Sequence, residues 1–343
     1  MTAEPAVLAV SGLTVTYPRG FGRPPLTAVA DVSFTVGRGE TVSIVGESGS
    51  GKTTIGSAIL GLQPAAKGEI LLHGVDIAGM SRRQRSAFRE TLQAVFQDPF
   101  SSLDPSKSIG DAVGEPLRVA APKLGSEAVR RRAAEALTRV GLDPAVMRRF
   151  PAEFSGGQRQ RIAIARALIL KPAIVVCDEA VSALDVSVQA QVLNLLEELQ
   201  REEGVSYIFI SHNMAAVRHI SDRIVVLYRG RVMEDGSAEA VCDRPAHPYT
   251  RSLLASVPLP DVRAQRERRR VRALTIAPAR NAATPSTGCP FAPRCPFAAD
   301  ICVAAPPPLI ETGDGRRVAC VRIADIPPAD DLASLELSGG DGR

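Results

Sequence analysis

The stretch FSGGQRQRIAIARALILKPAIVVCDE, running from Phe154 to Glu179, decides how this chain folds. Behind its Ser-Gly-Gly start, apolar residues recur at helical spacing and predict a helix over Gln158–Leu170. Ala173–Cys177 then forms a continuous apolar run, as expected of a strand buried on both faces. Such a strand delivers Asp178 and Glu179 to its carboxyl edge, where ligands bind in open α/β sheets. The order repeats downstream as helix Val188–Glu202, strand Tyr207–Ile210, helix Met214–Ile220 and strand Arg223–Tyr228. That alternation predicts an α/β fold on a mostly parallel sheet covered by helices.

Upstream, Gly46-Glu47-Ser48-Gly49-Ser50-Gly51-Lys52-Thr53 fits the pattern G-x-x-x-x-G-K-[ST] directly after the apolar stretch Thr41–Val45. From Lys52 to Leu62 the residues Ile55, Ala58, Ile59 and Leu62 recur at helical spacing, so the loop opens into a helix. Gly46, Gly49 and Gly51 let backbone N–H groups approach a triphosphate where bulkier side chains would intervene. Lys52, at the helix N-terminus, favours the β- and γ-phosphates, and the Thr53 hydroxyl can ligate Mg²⁺. Asp178 is then expected to hold the Mg²⁺ hydration shell and Glu179 to activate water as a general base. Ser155 reads as a helix N-cap, with Gly156 and Gly157 leaving the first turn open to an anion.

The first ~45 residues alternate short apolar runs (Val7–Val10, Leu13–Tyr17, Val32–Val36, Thr41–Val45) with Gly- and Pro-rich breaks, a small β region. Between Ser108 and Arg149 the chain is Ala-, Arg- and Leu-rich with helical periodicity, which predicts a helical insertion ending at Phe150-Pro151. With 343 residues, 45% apolar and 23% charged, the composition suits a folded protein of two domains. No uncharged stretch reaches the roughly 18 apolar residues of a membrane span. Met-Thr-Ala-Glu-Pro has no basic region ahead of an apolar segment, so the chain is expected to stay in the cytosol. Net charge is only +4, although Arg263–Arg272 holds six arginines and one glutamate. That run reads as a solvated linker or a contact for lipid head groups or nucleic acid.

The phosphate loop, the Phe154–Gln158 segment and Asp178-Glu179 resemble the ATP-binding-cassette (ABC) ATPases. The resemblance implies an antiparallel β subdomain, a helical subdomain at about 98–160 and a cassette over 5–250. It makes residues Gly46 to Thr54, namely Gly46, Glu47, Ser48, Gly49, Ser50, Gly51, Lys52, Thr53 and Thr54, the ATP-binding loop, with Tyr17 stacking on adenine. Ser155, Gly156, Gly157 and Gln158 face the γ-phosphate held by a partner cassette, and Asp185 lies in a loop that crosses the dimer interface. Gln97 and His212 match residues that sense the γ-phosphate and position water, Gln97 also reaching Mg²⁺ beside Thr53 and Asp178. Where family members usually carry Asp after that histidine, Asn213 stands here. The chain holds one copy of each motif, so one chain should not complete a site alone.

Four of the six cysteines fall within 32 residues, spaced C-x5-C-x6-C-x17-C from Cys289 through Cys295 and Cys302 to Cys320. In a reducing compartment such thiols suggest a metal centre, and thiolate-only ligation suits zinc or iron–sulfur equally. The segments around them, with Gln97–Pro105 and His247–Arg251, resemble the C-terminal extension on ABC ATPases of peptide-type importers. The resemblance implies an extension at 251–325, a [4Fe–4S] cluster on Cys289, Cys295, Cys302 and Cys320, and a disordered tail at 326–343.

The function implied is that of the ATPase subunit of an importer for oligopeptides or dipeptides. The subgroup also includes importers of nickel chelates and glutathione. Implied partners are a second ATPase subunit, identical or paralogous, two membrane permease subunits and, indirectly, an extracytoplasmic binding protein, at the cytoplasmic face of the cell membrane. A non-transport ABC ATPase acting on ribosomes or nucleic acid commonly has two cassettes or a long coiled-coil insertion. This chain has neither, and no nucleic-acid partner is expected.

Overall fold

The computed structural model describes residues 6–20, 22–97, 103–256 and 287–327. Residues 98–102 of the Gln97–Pro105 segment, the Arg263–Arg272 run and 328–343 of the expected tail lie outside the described residues. The chain forms two compact units, Met1–Ser43 with Thr53–Ser221, and Ile44–Lys52 with Asp222–Arg343.

The first unit opens with β1 (Leu8–Arg19) and β2 (Arg23–Val36), followed by β3 (Thr41–Val45), of which residues 41–43 belong to it, and α1 (Lys52–Ile59), which enters it at Thr53. β4 (Lys67–Leu72) and β5 (Val75–Asp76) complete an antiparallel sheet in the order β2-β1-β4-β5. Leu8, Val10, Leu13 and Val15 of β1 are all buried, a spacing that slips by one residue between Val10 and Leu13. The slip falls where the β1–β2 register shifts, so a bulge keeps the same face apolar on both sides of it.

The rest of this unit runs through α2 (Arg82–Arg85), β6 (Leu92–Val95), α3 (Ile109–Ala120), α4 (Ser126–Arg139) and α5 (Gly156–Leu168). It ends with β7 (Ile174–Asp178), α6 (Val186–Glu203), β8 (Ser206–Ser211) and α7 (Met214–Ile220). α3 and α4 are the predicted helical insertion; α3 is capped by Ser108, whose side chain accepts from the Asp111 N–H. β6, β7 and β8 are parallel, with β7 between its two neighbours. Ile174 to Cys177 are at most 1% exposed, as a strand covered on both faces requires.

In the second unit β9 (Arg223–Tyr228) turns through Arg229-Gly230 into β10 (Arg231–Ser237). Both turn residues have positive φ, 46° and 78°, the geometry of a tight two-residue hairpin. α8 (Ala238–Asp243) and α9 (Pro248–Ala255) follow, and the extension adds α10 (Ile301–Ala304), β11 (Ile310–Glu311) and β12 (Arg317–Val318). The strands here run antiparallel in the order β11-β12-β10-β9, so the extension continues the sheet edge that β10 provides. The periodicity reading stops at Tyr228 because β10 carries Glu234 and Asp235 at positions that turn out to be buried.

Both charges are answered locally. Glu234 accepts from the Ala246 and His247 N–H groups at 2.9 Å each and from Arg316 at 3.3 Å, while Asp235 is held between Arg223 and Arg317.

Candidate nucleotide site

Parallel register gathers the chemistry of the first unit at one sheet edge. Val95 pairs with Cys177 and Asp178 with Ile210, so Gln97, Glu179 and His212, each two residues beyond, emerge together from the carboxyl ends of β6, β7 and β8. Glu179 sits at φ +50°, a left-handed conformation that costs a non-glycine residue energy. Its N–H donates to the Ile210 carbonyl at 2.9 Å, and its carboxylate oxygen lies 3.0 Å from Nδ1 of His212. Beside it the Thr53 hydroxyl donates to Asp178 at 3.3 Å. A hydroxyl and a carboxylate are hard oxygen donors of the kind Mg²⁺ takes while keeping several waters. Tyr17 and Thr54 bring their hydroxyls within 3.4 Å.

Ser155 caps α5 as expected. Its hydroxyl accepts from the Gln158 N–H, and the Gln158 side chain returns the bond to the Ser155 N–H at 3.1 Å, a capping box. The glycine at 157 is dictated by packing as well, since a Cβ there would lie 2.4 Å from Cγ1 of Val188 in α6. Asp185 caps α6, accepting from the Val188 N–H at 2.9 Å and from Ser187 at 2.7 Å, and these bonds hold its carboxyl below the ordinary range. Asn213 caps α7 through its side-chain oxygen and donates to Gln189 of α6 at 3.2 Å. The amide thus supplies a donor, where a carboxylate would be acceptor only.

The second unit contains the loop from Gly46 to Lys52. A Cβ on Gly46 would come within 2.1 Å of the Leu227 carbonyl oxygen, so only glycine allows the loop to leave β3 this closely. Lys52, 6% exposed, donates to the carbonyls of Gly46 and Glu47 at 2.9 and 3.0 Å and so lies across the loop. The Ser50 hydroxyl is buried without a hydrogen-bond partner, a donor suited to a phosphate oxygen. Two residues that sequence reasoning did not assign to this loop hold Glu47: the Tyr249 hydroxyl accepts its N–H at 3.0 Å, and Arg294 grips its carboxylate through two 3.0 Å bonds.

The four clustered cysteines line one pocket with His247, Phe291 and Phe297. Burial pushes the Cys289 and Cys320 thiols up and Cys295 to about 12. Against that, backbone N–H groups of Phe291 and Ala292 favour the Cys289 thiolate, that of Phe297 the Cys295 thiolate and that of Arg322 the Cys320 thiolate. Among the described residues no group of three or more His, Cys, Asp or Glu side chains is set to hold a metal ion. Among them, too, no helix is long and apolar enough to cross a membrane.

Residues 29–182 match the ABC transporter family and residues 233–302 the oligopeptide/dipeptide transporter C-terminal region. The chain is 45% identical to a probable peptide ABC transporter ATP-binding protein of Sinorhizobium fredii, over 97% of this chain and 95% of that one. It is also 45% identical to the oligopeptide transport ATP-binding protein OppF of Escherichia coli, over 88% of this chain and 90% of that one. Among solved structures, a dimeric ATP-binding cassette in a post-hydrolysis state with ADP and Pi superposes with a TM-score of 0.61 at 30% identity, over 67% of this chain and 98% of that one. The chain belongs to the ATP-binding proteins of ABC transporters, in the branch that carries the oligopeptide/dipeptide transporter C-terminal region.

Proposed function

We propose that this ATPase energises import of oligopeptides or dipeptides, working as a pair of cassettes docked on two permease subunits at the cytoplasmic face of the membrane. The cassette occupies 5–250 and the cysteine-bearing extension 251–325. Residues Gly46–Thr54 cradle the phosphates, with Tyr17 against the adenine. Thr53, Asp178 and Gln97 hold Mg²⁺, which neutralises phosphate charge. Glu179 takes the proton from the attacking water, and His212 orients both that carboxylate and the γ-phosphate. Ser155, Gly156, Gly157 and Gln158 complete the site of the partner cassette, and the loop at Asp185 lies at the dimer interface. The observation that carries the reading is the 3.0 Å pairing of Glu179 with His212 beside the Thr53–Asp178 bond.

For the extension we propose a [4Fe–4S] cluster on Cys289, Cys295, Cys302 and Cys320. What supports it is that all four thiols line one pocket. Anaerobic purification followed by visible absorbance and metal analysis tests it. Iron and sulfide near four each per chain agree; a colourless protein without iron removes the cluster.

The transport reading is tested by isolating the chain from membranes under mild detergent and identifying every associated subunit. Two polytopic permease chains and a second ATPase are expected. A protein that leaves the membrane alone, as a monomer, contradicts it.

A further inference from the structure

Glu47 is the second residue of the phosphate loop, and Arg294 of the cysteine-bearing extension bonds it. Arg294 binds it as a fork, Nη1 to one carboxylate oxygen and Nη2 to the other, each at 3.0 Å, a geometry that fixes direction as well as distance. Its own N–H is fixed by Tyr249 at 3.0 Å, and its carbonyl takes the Lys52 ammonium at 3.0 Å. The position of Glu47 is therefore set from outside the loop and passed directly to the lysine.

Arg294 is in turn placed by the backbone of the cysteine-bearing segment. It closes the short turn Ala292–Arg294 between Cys289 and Cys295. The Ala292 N–H donates to the Cys289 carbonyl at 3.0 Å, and the Cys295 N–H donates back to the Ala292 carbonyl at 3.2 Å. Phe291, fully buried, stacks edge-on to Tyr228 with centroids 5.4 Å apart and packs on Tyr249 at the same distance, while the Arg294 guanidinium lies 5.6 Å from the Phe291 ring centre. Any change in how Cys289 and Cys295 are held must move a packed turn that has Arg294 at its end.

We infer that Arg294 is a positioning residue for the phosphate loop, one that neutralises Glu47 and ties nucleotide binding to the state of the cysteine-lined turn Cys289–Cys295. Without Arg294 the loop keeps an uncompensated carboxylate beside a polyanion, and its second residue loses its anchor. Coupling between two sites is reciprocal in binding free energy, so nucleotide on the loop and the hold on the turn bias one another. The inference rests on residues 46–53 being the phosphate loop.

The test is equilibrium binding of a fluorescent ATP analogue to the full-length chain at low salt, because both partners are partly exposed and salt screens them. Arg294→Ala is expected to raise Kd about fivefold, and Arg294→Lys, which keeps the charge but loses the fork, by less. Glu47→Gln in the Arg294→Ala background removes the stranded charge and is expected to restore most of the lost affinity. An unchanged Kd in Arg294→Ala, or no recovery in the double variant, overturns the positioning role. Lys52→Ala serves as the separate check on the loop: if it binds the analogue like the wild type, the loop assignment falls and this inference with it. As a second readout, Cys295→Ser, which alters how the turn is held, is expected to raise Kd in the wild-type background and to add nothing in Arg294→Ala. Cys295→Ser binding like the wild type, or losing as much again in Arg294→Ala, overturns the coupling.

Discussion

Glu179 shows how much of a residue's role is set by neighbours that are distant in sequence. Its left-handed backbone is held by the N–H bond to Ile210, and its carboxylate is presented to His212 across the β7–β8 register. Replacing it with glutamine keeps the shape and removes the base we propose, so ATP binding should persist while turnover falls by at least about 100-fold. Near-normal hydrolysis by Glu179→Gln removes it from the role.

His247 offers a test of a different kind. Burial pushes its pKa from 6.5 down to about 3, so the folded protein refuses a proton that the unfolded chain accepts below about pH 6.5. Stability must then fall as pH drops through that window, by about 1 kcal/mol between pH 7.5 and 5.5. Denaturant titrations at the two pH values check this, and His247→Asn should flatten the difference. Equal slopes in the two proteins exclude His247 as the source. Residue type and order singled out Glu179, Lys52 and Thr53 as candidates, and the family resemblance singled out His212. The sequence did not reveal that Glu179 bonds His212, or that Arg294 bonds Glu47, because both bonds depend on strand register and packing between residues 33 and 247 positions apart.

Among the elements, β7 and its helices were legible and β10 was not. Four consecutive apolar residues mark a central strand, whereas Arg231–Ser237 looks polar because its buried carboxylates are paired from elsewhere in the chain. Glu234 is fully buried and Arg316, 9% exposed, is its charged partner. Arg316→Ala leaves that carboxylate uncompensated and should cost about 3 kcal/mol, measured by denaturant unfolding. Glu234→Gln combined with Arg316→Met should recover much of the loss, since replacing a buried pair costs less than breaking one. A single Arg316→Ala variant with wild-type stability contradicts this account of how β12 is held on β10. The hairpin at Arg229-Gly230 was not read from the sequence, because its second strand lacks apolar alternation.

For the whole molecule the informative fact is that each motif occurs once. Ser155, capping α5, has its hydroxyl engaged with Gln158, while the side chains of Thr53 and Glu179 bond those of Asp178 and His212. The function we propose requires a second cassette to complete the site on assembly. The transported cargo is not legible in this chain, since the residues that would contact it belong to other subunits of such a transporter. The most direct measurement compares nucleotide affinity and hydrolysis in Ser155→Ala. The isolated chain should bind ATP within about twofold of wild type, while the assembled complex should lose at least about tenfold in hydrolysis, the scale of a lost transition-state contact. Hydrolysis close to wild type, or a parallel loss of affinity in the isolated chain, contradicts a shared site.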